Sequence, residues 1–386
     1  MQKKIVALAV ASALSMPALA LAGATVYGKA DVGYVMTDNG GQTSGAGAGT
    51  GNTAAKRNQV ASNVSRLGFK GSEDLGNGMT GVWQMEGEVD MDTGTTRLFD
   101  SNTFLGVAGD FGTVVLGQHD TPYKMSTRGM DVFEDSIADN RSVMGIGGLM
   151  DYRGSDVLAY ITPDFSGFSA AVAMISETDS QKLYNDMQPV VDSILAPGAL
   201  TGTATKMSAT SLSANYGMDN WKAVLGYLTV SVKESVLPIN LDITGTKVGG
   251  SYAMDAFAVN AVYEMLELKE STSGGKMEQN NIYISGTYNV SDAGKVKLGY
   301  TMAGESKDGG TTNTGSGATQ VSLGYDHAMS KNTTVYALYT SIANDTNASY
   351  YLSNVGSTAG TAAAPTGIVP VGSDPSAIAV GVRIAF

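Results

Sequence analysis

The feature that most narrows the fold is a strict two-residue alternation at the end of the chain. Ile378, Val380, Val382, Ile384 and Phe386 alternate with Ala377, Ala379, Gly381, Arg383 and Ala385. Successive strand side chains point to opposite faces, so one face here is wholly apolar and the other is small, with a single arginine. A strand buried on both sides would read as a continuous apolar run instead. The dyad recurs: Val296, Leu298, Tyr300 and Met302 oppose Lys295, Lys297, Gly299 and Thr301, and Phe257, Val259, Ala261, Tyr263 and Met265 alternate with smaller or polar residues. Val321, Leu323 and Tyr325 repeat it, as do Trp221, Leu225 and Tyr227, while Thr333 to Ile342 is ambiguous.

Turn chemistry supplies the strand number. Seven tight Gly/Asp/Asn/Ser clusters sit inside hairpins: 74–78, 109–112, 163–167, 217–220, 254–256, 291–294 and 329–332. Eight longer connections separate the hairpins, at 38–59, 92–96, 120–154, 178–207, 232–242, 268–278, 306–318 and 344–376. Seven short and eight long connections join sixteen strands, and their alternation puts all turns at one end and all loops at the other. One apolar and one hydrated face per strand then describe an all-β fold, a transmembrane antiparallel β-barrel of 16 strands with short periplasmic turns and long extracellular loops.

The first 22 residues read as an export signal: Lys3 and Lys4, an apolar stretch from Ile5 to Met16, Pro17, and the small-residue site Ala20-Leu21-Ala22. Cleavage after Ala22 leaves 23–386 as a single barrel domain. Without the two signal lysines, 22 basic face 36 acidic side chains, which argues against nucleic acid as a partner. No cysteine is present, so disulfides, thiolate metal sites and cysteine nucleophiles are excluded together. The 49 glycines, 18 tyrosines and near-zero mean hydropathy fit a barrel, whose strands show lipid only at every second residue. With His119 and His327 as the only imidazoles, and neither in a diagnostic spacing, no catalytic residue, cofactor or metal is expected. Asp90-Met91-Asp92-Thr93-Gly94 lacks the third acidic position and terminal Glu of a calcium loop.

These segments resemble the general diffusion porins of Gram-negative outer membranes, the neisserial and proteobacterial trimeric type in particular. The resemblance is carried by ATVYGKADVGY (24–34), SRLGFKGSEDLGNGM (65–79), VWQMEGEV (82–89), TFLGVAGDFGTVVLGQHDTPY (103–123), AYITPDFSGFSAAVA (159–173), VSLGYDHAMSKNTTVYALYTSIAND (321–345) and VGVRIAF (380–386). It implies a homotrimer in the outer membrane, set in lipid and lipopolysaccharide, that passes small hydrophilic solutes and ions by passive diffusion. The alternative is a substrate-selective channel of the same fold. Phe386, an aromatic ending an alternating strand, resembles the signal read by the barrel-assembly machinery.

A sixteen-stranded barrel is too wide for wall side chains to fill. In the resembled family the loop after the fifth strand bends inward, which here selects Asp131, Glu134, Asp135, Asp139 and Arg141 as constriction residues. Alternation places Arg66 and Lys70 on the lumenal wall together with Arg383, and Lys29 and Asp31 are further wall candidates. Gln118 stands where the family often carries arginine. That loss of a cation, the net charge and the acidic loop together lean toward cation preference.

Overall fold

The computed structural model describes residues 23–40, 56–179, 205–234, 240–271, 274–352 and 371–386. The expected signal peptide, the Ala/Thr/Gly/Pro tract at 357–370 and nearly all of the Gly-Ala tract at 40–51 lie outside these.

Two-residue alternation becomes a wall wherever a tight turn returns the chain beside itself. Gly76 pairs with Met79 across Asn77 and Gly78, whose φ angles of 53° and 75° give the left-handed turn that matches strand twist. The described residues form sixteen wall strands: Thr25–Asp38 (β1), Lys56–Ser62 continued by Arg66–Gly76 (β2), Met79–Asp90 (β3), Thr95–Arg97 continued by Thr103–Gly109 (β4), Gly112–Asp120 (β5), Arg153–Ile161 (β6), Phe168–Asp179 (β7) and Thr205–Met218 (β8). The wall continues through Trp221–Glu234 (β9), Asn240–Met254 (β10), Phe257–Glu270 (β11), Lys276–Asn289 (β12), Gly294–Ala303 (β13), Ala318–Ala328 (β14), Thr333–Asn344 (β15) and Ser376–Ala385 (β16). Each pairs antiparallel with the next.

The sheet closes on itself: β1 pairs with β16 from Lys29↔Ala385 to Asp38↔Ser376. At the seam the Gly28 N–H donates to the Phe386 carbonyl at 2.9 Å and the Phe386 N–H donates back at 3.1 Å. A Cβ on Gly28 would stand 2.5 Å from Phe386 Cζ, so the glycine makes room for the terminal ring. Closure removes the unpaired edge that hydrocarbon does not tolerate.

Along β13 the outward row is Val296, Leu298, Tyr300 and Met302, while Lys297, Gly299 and Thr301 are buried on the inside. An arginine in the middle of such a row meets acyl chains. Leu298→Arg is therefore expected to cost about 2–4 kcal/mol, read by urea unfolding in lipid vesicles, and an unchanged midpoint would mean that this face does not see lipid.

On β8 to β12 the pattern inverts toward the loop end. Outward Leu212, Ala214, Tyr216 and Met218 give way to Thr210, Ser208 and Lys206, and on β9 the polar outward residues Thr229, Ser231 and Lys233 back onto the buried Leu228, Val230 and Val232. Those inward residues cluster with Ile243, Leu266 and Leu268 against Tyr123 and Met150 of the connection between β5 and β6. Polarity thus marks where the outer wall leaves hydrocarbon, and inward apolarity marks what the inner wall packs on.

Candidate functional site

The connection from Thr121 to Tyr152 enters the barrel. Thr121 caps α1 (Pro122–Arg128) by accepting from the Lys124 N–H at 3.3 Å, and Pro122 fits the first turn, where its missing N–H costs nothing. The helix lies on β8 and β9: the Tyr123 N–H donates to Ser211 Oγ at 2.9 Å, and a Cβ on Gly226 would stand 2.5 Å from Ser126 Oγ. Beyond it, Phe133 is buried over two glycines. A Cβ on Gly324 or Gly299 would lie 2.8 or 3.1 Å from its ring, and Lys297 Nζ sits 5.0 Å from the ring centroid. Tyr283 Oη donates to Asp131 Oδ1 at 2.7 Å, and Ser285 Oγ donates to the Met130 carbonyl at 3.0 Å. Ile137, Ala138 and Val143 complete the docking against Tyr336, Leu338 and Ile342. That contact explains the ambiguous stretch at 333–342: β15 is apolar inside because the loop rests on it.

The returning arm passes through a left-handed turn, with φ of 62°, 55° and 64° at Gly145, Ile146 and Gly147. Glu264 of β11, fully buried, holds it. One carboxylate oxygen accepts from Tyr123 Oη at 2.6 Å, and the other accepts from the Gly145 N–H at 2.8 Å and Asn281 Nδ2 at 2.7 Å. Lys247 Nζ pairs with Asp151, lies 3.7 Å from Glu264 and 4.3 Å from the Tyr123 ring centroid.

Charges concentrate where the loop crosses to β1 and β2. Arg128 pairs with Asp139 at 2.5 Å, Glu134 at 2.9 Å and Asp135 at 3.2 Å. Arg141 reaches Asp139 through Nε at 3.0 Å and Nη2 at 2.9 Å. Asp135, at a φ of 61°, extends to the wall, where Lys29 Nζ lies at 3.0 Å and Arg66 Nη2 at 3.3 Å. Burial opposes ionisation of Asp135 and Asp139, but the surrounding Arg and Lys side chains hold both below the usual carboxylate range. Asp131 goes the other way: burial and the nearby Asp139 push it up to about 6.

All five loop residues named from the sequence enter the lumen, yet they do not form a free acidic rim. Asp131, Asp135 and Asp139 are buried under arginines, while Glu134 and Arg141 retain solvent contact. Of the wall residues, Lys29 and Arg66 meet the loop. Asp31 instead joins Arg383 at 2.7 Å and Tyr336 at 2.9 Å, and Lys70 Nζ sits 4.9 Å from the Tyr27 ring centroid. Glu264, Lys247 and Phe133 are the residues that sequence reasoning missed. Glu264 carries a signal in hindsight, a carboxylate on the inward parity of β11 between Val262 and Leu266. His119 is buried against Phe104, with ring centroids 5.1 Å apart, rather than facing the pore.

A closed barrel narrowed by an inward loop has known relatives. The family described as Gram-negative porin matches residues 7–347. Outer membrane porin protein 32 of Delftia acidovorans is 28% identical over the whole of both chains. Major outer membrane protein P.IA of Neisseria meningitidis serogroup A is 33% identical over 198 residues, 48% of this chain and 49% of its own. Among solved structures, an anion-selective porin from Comamonas acidovorans superposes with a TM-score of 0.69 at 22% identity, covering 95% of this chain and 100% of its own. The closed sixteen-stranded wall, the inward loop and the family match together establish that this chain belongs to the Gram-negative porin family and is an outer-membrane channel for the diffusion of small solutes.

Proposed function

We propose that the channel prefers anions, and that the constriction lies between the inward loop and the wall of β16, β1 and β2. The observation that carries this reading is which charges touch water. Side chains of Lys29, Arg66, Arg141 and Arg383 are 24%, 25%, 21% and 28% exposed, against 0% for Asp31 and Asp139 and 7% for Asp135. On the acidic side Glu134 is 41% exposed, and Glu88, across from Arg66 and paired with Arg97, is 20% exposed. A permeating ion responds to charge along its path, so the net charge of −12 counts for little. This reverses the cation preference that total charge suggests. The solved relative described as anion-selective points the same way.

Reversal potential in a KCl gradient across a planar bilayer tests this. The unmodified protein is expected to reverse on the chloride side. Lys29→Gln combined with Arg66→Gln should move it toward potassium, since Asp135 loses both wall partners. A potassium-selective unmodified channel would sink the reading.

We also propose assembly as a homotrimer in lipid and lipopolysaccharide, with Phe386 read by the barrel-assembly machinery, a reading that family membership supports. Conductance steps arriving in threes would be the sign of the trimer.

A further inference from the structure

Asp135 sits among four cations where the inward loop meets the wall. Its carboxylate is surrounded by Lys29 at 3.0 Å, Arg128 at 3.2 Å, Arg66 at 3.3 Å and Arg141 at 3.6 Å, two cations from the wall and two from the loop. One guanidinium suffices to neutralise a carboxylate, so a purely structural pairing does not call for four. Arg128 and Arg141 are also satisfied by Asp139. Lys29 is not: among the described residues, the ion pair recorded for it is that with Asp135. Among the described residues, the further ion pair recorded for Arg66 is that with Glu86 at 4.0 Å, and Glu88 across from it is paired with Arg97. Both wall cations keep about a quarter of their side chain in water, so a solute oxyanion can reach them from the lumen.

We propose that Asp135 is a tethered counter-ion that fills an oxyanion site of the pore, and that permeating carboxylates and phosphates exchange with it for Lys29 and Arg66. The physical need is for weak binding. An empty four-cation nest in a narrow lumen would hold an oxyanion too long, whereas conduction requires a site that is entered and left easily. A carboxylate on a short tether competes at a local concentration of about millimolar or above, and so weakens the site without removing it. The loop's seat is secured elsewhere on the wall, by Phe133 over β13 and β14, Tyr283 of β12 and Glu264 of β11. This proposal rests on the anion reading above and sharpens it to a solute class.

Bilayer recordings of the purified protein in KCl with added inorganic phosphate test it. Asparagine tolerates a positive φ, so Asp135→Asn keeps the backbone and removes the competitor. Phosphate should then block chloride current saturably at a concentration at least about tenfold below that for the unmodified channel. Glu134→Gln makes the same charge change beside the pore without touching Lys29 or Arg66, and it should not create the block. Adding Lys29→Gln to Asp135→Asn should abolish it. Block in both single variants, in neither, or surviving the loss of Lys29 overturns the proposal. Asp135→Gly is the second variant, and failure of both to give heat-modifiable barrels would make Asp135 a structural staple and overturn it equally. The reversal potential of the unmodified channel is read separately, so loss of the anion reading is told apart from loss of the exchange site.

Discussion

Glu264→Ala is expected to turn a steady open channel into one that flickers among several conductance levels, with the loop body still inside the barrel and its returning arm freed. The carboxylate joins three elements: Tyr123 of α1, the Gly145 N–H of the arm and Asn281 of β12. Its removal also leaves the Lys247 ammonium, only 4% exposed, with Asp151 as its remaining anion. Removing one partner of a buried charge pair costs about 3–5 kcal/mol, because the other stays desolvated. The arm has little of its own to resist with. Ile146 holds a φ of 55°, an uncommon and unfavourable conformation for a β-branched residue, and relaxes once the anchor is gone. Protease cutting between 144 and 152 should rise in parallel, while far-UV circular dichroism keeps its strand signal. Glu264→Gln retains acceptor capacity and should be milder. Unchanged noise and unchanged cutting in the alanine variant would show that the arm is held elsewhere.

The second large effect is expected at the other end of the loop. Phe133 is 1% exposed and rests over Gly299 and Gly324, so Phe133→Ala removes a full aromatic side chain from a closed recess, at a cost of about 3–5 kcal/mol. Docking weakens and mean conductance should rise, as the loop no longer holds its place across the lumen. Gly324→Val makes the opposite perturbation. Its Cβ alone would fall 2.8 Å from the Phe133 ring, so the ring and its loop must move off the wall into the lumen and conductance should fall. Two variants at one contact, with opposite signs, separate a change in loop position from general loss of stability. Shifts in the same direction would refute the recess as the seat of the loop.

The barrel was legible because its main rule is local. Parity along β13, β14 and β16 assigns faces one residue at a time, and the turns at 77–78 and 254–256 carry their own chemistry. What the rule cannot say is what each face meets. On β9, Val230 and Val232 look lipid-facing by character, yet they pack inward because the outer wall at that height has left the hydrocarbon. The inward loop is legible from its length and from family resemblance, and the structure places its charged residues inside the barrel. Their exposure was not legible, since it depends on Arg128 reaching Asp131, Asp135 and Asp139 at once, which is tertiary information. Hence a count of acidic residues does not say which of them water can reach: Asp135 and Asp139 are covered, while Lys29, Arg66 and Arg141 keep part of their side chains in solvent.

The short apolar rows on β8 and β11 bear on where this protein can reside. From Leu212 to Met218, or from Phe257 to Met265, the outward greasy stretch runs only about 20–27 Å along a tilted strand, which leaves a height of roughly 15–20 Å. A bilayer appreciably thicker than that must thin around the rim or tip the cylinder, at a small cost for each ångström of mismatch. The height of its oily belt thus acts as a sorting label, favouring residence in thin membranes.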